Sequence, residues 1–307
     1  MQMRDDLGIT TKLENGKAYL EFARPEKIGR LLSALQIEIW EGAEGERLVF
    51  HGEYSSEEAD SMTALLLRPH LWDGMRDPYV YLVKAQGRFR SVEYGEKMGG
   101  MEKEEKLDSA EDITGEVEMY WRQELTIYDV RVVEKKGILL NEKEFLPHEV
   151  VYRLPPQISD AGMRVEQVRR DLERLARMGV NAIRLEGTGS GAERQNCYEV
   201  RAFYRLCRRG GFLTGDLWIR PENLPVYRGL PGETTCQALL AADGRTLTER
   251  YYYYQAKWSS EPVLYPVLST LHRQENGLLS LTIYSNQKKV VLYVDGLLFL
   301  FQTATSG

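Results

Sequence analysis

The chain has few of the residues that build metal or redox sites. Its 307 residues include only three cysteines, Cys197, Cys207 and Cys236, and four histidines. The cysteines match no zinc-ligand spacing, and no two histidines lie close enough in sequence to suggest a shared metal. Glycine-rich phosphate loops and nucleophile elbows are also missing. We therefore expect no metal, no cofactor and no disulfide, and a reducing cytoplasm as the location.

The chain also lacks a net positive charge and long apolar runs. Forty Lys and Arg residues against 46 Asp and Glu give a net charge of −6, which disfavours nucleic acid as a partner because phosphate binding needs a basic face. The N-terminus, MQMRDDLGITTK, lacks the apolar core of a secretory signal. The most apolar segment, 290–301, is too short to span a bilayer and contains Asp295 and Gly296. We therefore expect no membrane association.

The first part of the chain is typical of an antiparallel β domain. Between residues 8 and 95, short alternating runs such as 17–22 and 35–39 are separated by turns, and this regular spacing predicts an immunoglobulin-like β-sandwich. A charged stretch at 87–115 is expected to be a surface insertion. Strands resume at 117–121 and 125–133. We place this domain at residues 1–135.

The stretch 164–218 is the only part with an α/β pattern. Apolar residues three or four apart predict a helix at 164–178, Gly179 ends it, and 180–185 suits a buried parallel strand. A second helix at 198–207 and a strand at 212–218 follow. Such units belong to a parallel sheet or barrel. A hairpin at 139–145, with Asn141 and Glu142 at its turn, precedes them, and the domain is placed at 136–244.

The C-terminal part, 245–307, combines an aromatic cluster with short strands. Tyrosines occupy positions 251–254, with Trp258 and Tyr265 close behind. Strands are predicted at 278–284, 289–294 and 297–302, and the Asp-Gly pair at 295–296 is a strong hairpin signal. These features predict a second, smaller β-sandwich. The segment between 218 and 244 is rich in Pro and Gly and is expected to consist of turns.

Four segments carry motifs of a known family. They are RPHLW at 68–72 with DPYVY at 77–81, the hairpin 137–143, MGVNAIR at 178–184 with FYRLC at 203–207, and YYYQAKWSSEP at 252–262 followed by IYSN at 283–286 and VVLYVDG at 290–296. In this order they resemble glycoside hydrolase family 2, the β-galactosidase and β-glucuronidase family. The resemblance implies an immunoglobulin-like domain, a (β/α) barrel and a further sandwich. A complete barrel needs roughly 200 residues or more, whereas the chain has room for about two βα units, so we expect a truncated barrel.

The resemblance also suggests which residues to examine for catalysis. Retaining glycosidases use two carboxylates about 5 Å apart. The family's two glutamates come from later barrel strands that have no counterpart here. Glu186 and Asp216, near the ends of the two predicted strands, are the local candidates for a catalytic pair. Arg184 matches a family arginine near the substrate, although a salt bridge to Glu186 or Asp216 would explain it equally well. Trp218 and Tyr227 are candidates for stacking on a sugar.

Three functions remain open. The first is a family 2-like, carbohydrate-related pseudoenzyme that lacks the usual glutamate pair and acts as a non-catalytic binding or scaffold module. The second is a divergent, β-galactosidase-like glycosidase that uses Glu186 and Asp216, or whose site is completed by another chain. The third is a structural interaction protein without sugar affinity. The expected partners are a carbohydrate, a second copy of the chain or a partner glycosidase.

Overall fold

The computed structural model describes residues 7–25, 30–58, 62–91, 116–154, 161–186, 198–215, 224–229, 238–275, 277, 279–294 and 297–303. The chain divides into two compact units. The first comprises Met1–Asp73, Tyr79–Arg131 and Leu139–Lys143, and the second comprises Gly74–Pro78, Val132–Ile138 and Glu144–Gly307. In the described part of the chain, no helix combines the length and the apolar character needed to cross a membrane.

The described residues of the first unit form a two-sheet β-sandwich of seven strands. They are β1 (Ile9–Glu14), β2 (Lys17–Phe22), β3 (Arg30–Glu41), β4 (Arg47–Ser55), β5 (Thr63–Leu67), β6 (Tyr81–Ser91) and β7 (Val117–Leu125). One sheet has the order β1-β2-β5 and the other β4-β3-β6-β7, with antiparallel neighbours throughout. A single hydrophobic core contains residues of both sheets, among them Leu20 and Ile37, which are fully buried.

Alternation of buried and exposed side chains sets the register of this sandwich. In β2 the side chains of Ala18, Leu20 and Phe22 are buried while the residues between them are exposed, as the sequence predicts. Asn15 and Gly16 join β1 to β2 with φ angles of 51° and 72°, the left-handed values that a two-residue hairpin turn requires.

The predicted charged insertion begins later than expected. Strand β6 continues to Ser91, because residues 87–91 pair with β3 and residues 87–89 pair with β7 as well. Residues 92–115, which include the densest run of charges, lie outside the described part of the chain.

A small antiparallel sheet contains the predicted hairpin. Its strands are β8 (Val130–Val133), β9 (Gly137–Leu140) and β10 (Lys143–Phe145), in the order β10-β9-β8. Asn141 and Glu142 form the turn with φ angles of 49° and 67°, so both have the left-handed conformation of a two-residue hairpin. The turn residues predicted from the sequence are confirmed.

The second unit contains an open, five-stranded parallel sheet. Its strands are β11 (Glu149–Arg153), β12 (Ala182–Glu186), β13 (Leu213–Thr214), β14 (Val226–Arg228) and β15 (Ala238–Leu240). The order is β13-β12-β11-β14-β15, with all neighbours parallel. Strands β12 and β13 lie on one side of β11, and the later strands β14 and β15 lie on its other side. In a barrel, by contrast, consecutive strands are neighbours around a closed ring. No closure is seen among the described strands, and a truncated barrel is not confirmed.

In the described part of the chain, three helices accompany this sheet: α1 (Ala161–Met178), α2 (Tyr198–Arg209) and α3 (Glu249–Trp258). Helix α1 buries the apolar stripe that the sequence predicts, with Val168, Leu172, Leu175 and Met178 in one core with the sheet. Both predicted helices are present, with ends that differ by up to three residues from the prediction. Helix α3 was predicted only as an aromatic cluster.

Two other sequence predictions need correction. The segment predicted to be turns after residue 218 supplies strands β14 and β15. The strand predicted at 212–218 is described only as Leu213–Thr214, and residues 216–218 lie outside the described range.

Two hairpins form the end of the described chain. Strand β16 (Leu264–Arg273) pairs with β17 (Leu279–Ser285), and β18 (Lys289–Val294) pairs with β19 (Leu297–Thr303). Each pair is a separate two-stranded sheet. The predicted strands are therefore present, whereas the predicted Asp-Gly turn at 295–296 lies outside the described residues.

Candidate functional site

The candidate site is the edge of the parallel sheet where the strands end. In open α/β sheets, ligands bind outside the carboxyl ends of the strands, at the point where the strand order reverses. Here the reversal lies between β11 and β14, which end at Arg153 and Arg228. Glu186 ends the adjacent strand β12. Asp216 and Trp218, two of the predicted site residues, lie outside the described part of the chain.

Glu186 forms an ion pair with Arg153. The two residues lie opposite each other in the parallel register, so their side chains leave the sheet on the same face. The guanidinium reaches both carboxylate oxygens, with Nε bonded to Oε2 and Nη2 at 3.4 Å from Oε1. Arg153 Nη1 also donates to the carbonyl oxygen of Arg228 at 3.3 Å. The Glu186 side chain is 47% exposed and that of Arg153 19%, so the pair lies at the surface of the edge.

Arg184 binds a buried carboxylate at the start of β11. Its Nε donates to Oε1 of Glu149 at 3.0 Å, and Glu149 is almost completely buried near the start of β11. The sequence suggested Glu186 or Asp216 as its partner; Glu149 is the carboxylate that the described residues place against it, and Asp216 lies outside them. Pairing is needed here because a carboxylate buried without a cation would be strongly destabilising. The sequence did not single out Glu149.

Tyr227 lies in the core beneath the sheet, where a buried carboxylate holds it. Its hydroxyl donates to Oδ1 of Asp171 at 2.9 Å, and its ring has no exposed face on which a sugar could stack. Tyr152 donates to Oδ2 of the same carboxylate at 2.9 Å, Arg228 Nη2 donates to Oδ2 at 3.2 Å, and Gln167 donates to Oδ1 at 2.9 Å. Helix α1 is thereby tied to the two strands on either side of the reversal.

The electrostatics of this Asp171 cluster keep its phenols protonated. Burial raises the pKa of Tyr152 well above its usual value, and the nearby Asp171 carboxylate raises it further. The pKa of Tyr227 is raised by the same two causes, with burial the larger. The protonated hydroxyl groups of Tyr152 and Tyr227 can therefore donate hydrogen bonds to the Asp171 carboxylate. The cluster therefore acts as a scaffold beneath the edge rather than as a proton donor at it.

The motif residues Gly179 and Asn181 hold the start of the sheet. The Asn181 amide accepts from the backbone nitrogen of His148 at 2.7 Å and donates to the carbonyl of Leu146 at 2.9 Å. Gly179 has φ +90°, and a Cβ there would lie 2.3 Å from the carbonyl oxygen of Trp258. The motif that carries the family resemblance in this region therefore has a structural role, and only glycine fits at position 179.

The asparagine of the hairpin motif has an equivalent role in the first unit. Asn141 accepts from the backbone nitrogen of Asp129 at 3.0 Å and donates to the carbonyl of Trp72 at 2.9 Å. Trp72, itself the tryptophan of the RPHLW motif, is almost fully buried. Two of the four motif segments thus meet through a single side chain.

The tyrosines of α3 pack against other parts of the second unit. Tyr251 is buried and donates to the carbonyl of Arg174 at 3.0 Å, while Tyr252 stacks on Tyr265 with ring centroids 3.8 Å apart. Trp258 stacks on His148 at 5.1 Å. The structural role that the family resemblance implies for these rings agrees with their contacts.

Residues able to hold a metal ion do not cluster in the described part of the chain, where no group of three or more His, Cys, Asp or Glu side chains comes together. Cys207 is completely buried in the core of the second unit, and burial raises the pKa of its thiol. A buried, protonated thiol is a poor nucleophile. Among the described residues, the Arg153–Glu186 pair supplies polar groups at the carboxyl edge.

No family model matches the sequence, and no curated protein matches it. Solved structures do match. An FMN-binding β-glucuronidase from Facaelibacterium prausnitzii L2-6 has a TM-score of 0.64 at 13% identity, covering 97% of this chain and 68% of that one. A β-glucuronidase from Parabacteroides merdae has a TM-score of 0.62 at 11% identity, covering 97% and 58%.

A β-glucuronidase from Ruminococcus gnavus matches 68% of the chain at 19% identity with a TM-score of 0.42, and the chain spans only 27% of that enzyme. The identities are low, so the likeness concerns the fold. Over nearly its whole length, the chain has a fold similar to that of β-glucuronidases, which are enzymes of glycoside hydrolase family 2.

Proposed function

We propose that the chain is a glycoside hydrolase family 2-like, carbohydrate-related protein that acts as a non-catalytic binding or scaffold module. The observation that carries the proposal is the pairing of Glu186 with Arg153 at the carboxyl edge. A retaining glycosidase needs two carboxylates about 5 Å apart that reach the anomeric carbon. At this edge Arg153 binds both carboxylate oxygens of Glu186, the group that would have to react. This pairing favours sugar binding rather than hydrolysis.

The same ion pair suits the recognition of a sugar. A guanidinium carries five hydrogen-bond donors, and a carboxylate carries only acceptors. Together they can donate a hydrogen bond to a sugar hydroxyl group and accept one from it. The pair lies beside the strand reversal, where open sheets bind their ligands. A saccharide would therefore bond to Arg153 and Glu186 through its hydroxyl groups.

The proposal extends to the organisation of the chain. The seven strands of the first unit, in sheets of three and four, support an immunoglobulin-like domain at 1–135. The family resemblance, rather than the strand order of the parallel sheet, is the reason to place a shortened relative of the family's barrel at 136–244. The two hairpins support a small C-terminal sandwich at 245–307. We propose a cytoplasmic location on the basis of the cysteine usage alone.

A second candidate is a divergent glycosidase. The exposure of Glu186 at the end of a parallel strand favours it, because barrel enzymes place catalytic groups at that end. In this reading Asp216 supplies the second carboxylate, Arg184 binds the substrate, and Trp218 stacks on the sugar. Another chain, such as a partner glycosidase, could complete the site instead. A structural interaction protein without sugar affinity is the third candidate.

One set of measurements separates the candidates. Glycan-array binding and hydrolysis of nitrophenyl β-glucuronide and β-galactoside are measured for the wild type, Glu186→Gln, Arg153→Gln and Asp216→Asn. Glu166→Gln, which changes a similarly exposed glutamate on α1, is the control. We expect glycan binding without turnover, weakened at least about tenfold by Glu186→Gln and Arg153→Gln because a bonded hydroxyl loses its partner.

Other outcomes would replace the proposal. Turnover that Glu186→Gln and Asp216→Asn abolish, and Glu166→Gln does not, would establish the glycosidase reading. The absence of both turnover and glycan binding in a folded wild-type chain would favour the structural interaction protein.

A further inference from the structure

The Arg153 guanidinium connects three neighbouring strands at the carboxyl edge. It extends from β11, binds both carboxylate oxygens of Glu186 on β12, and donates from Nη1 to the backbone carbonyl of Arg228 on β14 at 3.3 Å. A long, flexible side chain keeps one orientation only when its contacts outweigh the rotamer entropy that it loses. The orientation of this guanidinium therefore depends on where the Glu186 carboxylate and the Arg228 carbonyl lie.

Of these two contacts, the Glu186 carboxylate is the less rigid. Its side chain is about half exposed, and an exposed ion pair by itself holds two side chains only weakly. The Arg228 carbonyl, by contrast, is part of the backbone, and Arg228 is a buried residue. The rigid contact of the Arg153 guanidinium is therefore the carbonyl at the end of β14.

The side chain of Arg228 anchors this end of β14. The strand has three residues, and its register pair with β11 is Val226 with Val151, two residues before Arg228. From the strand end, Nη2 of Arg228 donates to Oδ2 of the fully buried Asp171 carboxylate at 3.2 Å. Hydrogen bonds between two charged groups are among the stronger ones in proteins. Arg228 thus joins the end of β14 to helix α1.

A turn beside Arg228 restricts its guanidinium further. Gly244 has a φ of +68°, and a Cβ built there would lie 2.4 Å from Nη1 of Arg228. The turn is held by Asp243, which accepts from the backbone nitrogens of Arg245 and Thr246 at 2.8 and 2.9 Å. The Arg228 guanidinium therefore has a carboxylate of α1 and this turn as its neighbours, which together limit its movement.

We propose that Arg228 is a positioning residue of the sugar site. Its bond to Asp171 fixes the carbonyl that holds the Arg153 guanidinium, and this sets the direction in which the Arg153–Glu186 pair presents its hydrogen-bonding groups to a saccharide. Binding groups are held accurately when such a surrounding layer of hydrogen bonds supports them. The inference rests on the proposed sugar binding at the Arg153–Glu186 pair, and Arg228 acts there through Arg153.

Heteronuclear NMR of the arginine Nε–H groups reads the orientation of Arg153 without a ligand. Its resonance is identified by its loss in Arg153→Gln. Arg228→Met is expected to move this resonance towards the position of an exposed arginine, whereas Arg228→Lys, which keeps a cation for Asp171, is expected to retain most of the wild-type position. Arg174→Met is the matched control, because Arg174 lies 3.7 Å from the same carboxylate but belongs to α1, and it should leave the resonance unchanged.

A double variant separates positioning from stability. Arg228→Met alone leaves the buried Asp171 carboxylate without this cation, which destabilises the fold. Asp171→Asn combined with Arg228→Met removes the charged pair as a unit, so no uncompensated charge from this pair stays buried while the carbonyl loses its anchor. The double variant is expected to show the same displaced Arg153 resonance as Arg228→Met. Circular dichroism confirms that each chain compared is folded.

Glycan affinity completes the test. Arg228→Met should weaken glycan binding about two- to tenfold, the effect of losing about one hydrogen bond, and Arg228→Lys should restore most of it. An Arg153 resonance that stays at its wild-type position in the folded double variant would overturn the positioning role, and so would unchanged glycan affinity. A wild-type chain that binds no glycan would refute the sugar site itself, and with it this role of Arg228. The two failures are distinguishable because the resonance is measured without ligand.

Discussion

Replacing Asp171 with alanine should destabilise the second unit more than any surface change on the same helix. The carboxylate is fully buried and accepts bonds from Tyr152, Tyr227 and Gln167, and it is also the partner of Arg228. The Arg228 side chain is only 11% exposed, so its charge cannot be rehydrated without moving the strand. Asp171→Ala therefore leaves a buried cation and two phenolic donors without their acceptor.

The magnitude follows from the loss of one partner of a buried pair. Breaking such a pair costs about 3–5 kcal/mol, and each stranded donor adds about 1 kcal/mol or more where it cannot reach water. For a unit of this size, a loss of about 4 kcal/mol corresponds to roughly 10 °C in the melting midpoint. Glu166→Ala on the exposed side of α1 removes only surface contacts with Arg169 and Arg170 and should cost no more than about 0.5 kcal/mol.

Urea denaturation followed by circular dichroism measures both variants, with the transition of the second unit resolved. A second substitution sharpens the test. Adding Arg228→Met to Asp171→Ala removes the stranded cation, so the double variant should be more stable than Asp171→Ala alone, by roughly 1–3 kcal/mol. The reasoning fails if Asp171→Ala costs less than about 1 kcal/mol, or if Arg228→Met destabilises the Asp171→Ala variant further.

Two further predictions concern backbone space and alkaline pH. Gly179→Ala should lower the free energy of unfolding, measured by urea denaturation, by at least about 2 kcal/mol, because its Cβ would lie 2.3 Å from the Trp258 carbonyl oxygen. Gly137 also has a positive φ but is surrounded by open space, so Gly137→Ala should cost about 1 kcal/mol. Equal losses for the two variants would contradict the steric argument. Burial raises the pKa of Tyr81 from 10.0 to about 12. Between pH 10 and pH 12 the folded chain keeps the Tyr81 proton, whereas the unfolded chain loses it. The contribution of this proton to the free energy of unfolding is therefore complete below pH 10, and it falls by about 1.4 kcal/mol per pH unit up to pH 12. Tyr81→Phe should make the decline between these pH values shallower, and an unchanged slope of the urea midpoint against pH would contradict it.

Periodic parts of the sequence predicted their elements well, because many residues contribute to each pattern. Strand β2 begins and ends where its alternation does, and the apolar stripe of α1 is buried as a single face. The turn at Asn141 and Glu142 was also predicted, because a two-residue loop between alternating runs favours one geometry.

Short or aromatic elements were missed for physical reasons. Strands β14 and β15 have three residues each, too few to show a period, and their partners lie far away in sequence. Helix α3 contains four consecutive tyrosines, which favour strands by local preference, and its helical form depends on packing against α1 and the hairpin β16–β17.

The site was predicted in part. The sequence placed Arg184 and Glu186 at the end of a strand, since the helix before it and the apolar run were both clear. It could not identify their partners Glu149 and Arg153, because β11 was not recognised as a strand. Asp171 lies on the helix predicted at 164–178, but a single aspartate on a helix gives no sign that it is buried.

The strand order of the second unit has a consequence for folding. Strand β14 reaches β11 only after a long excursion of the chain, and the bond between Arg153 and the Arg228 carbonyl joins positions 75 residues apart. Such long-range pairing forms slowly because the intervening chain must first be closed. Before β14 arrives, Asp171 lacks Tyr227 and Arg228, which lie 56 and 57 residues away, and its charge must remain hydrated. Helix α1 therefore cannot dock completely until the last strands are in place, and this carboxylate makes the assembly of the sheet a single cooperative event.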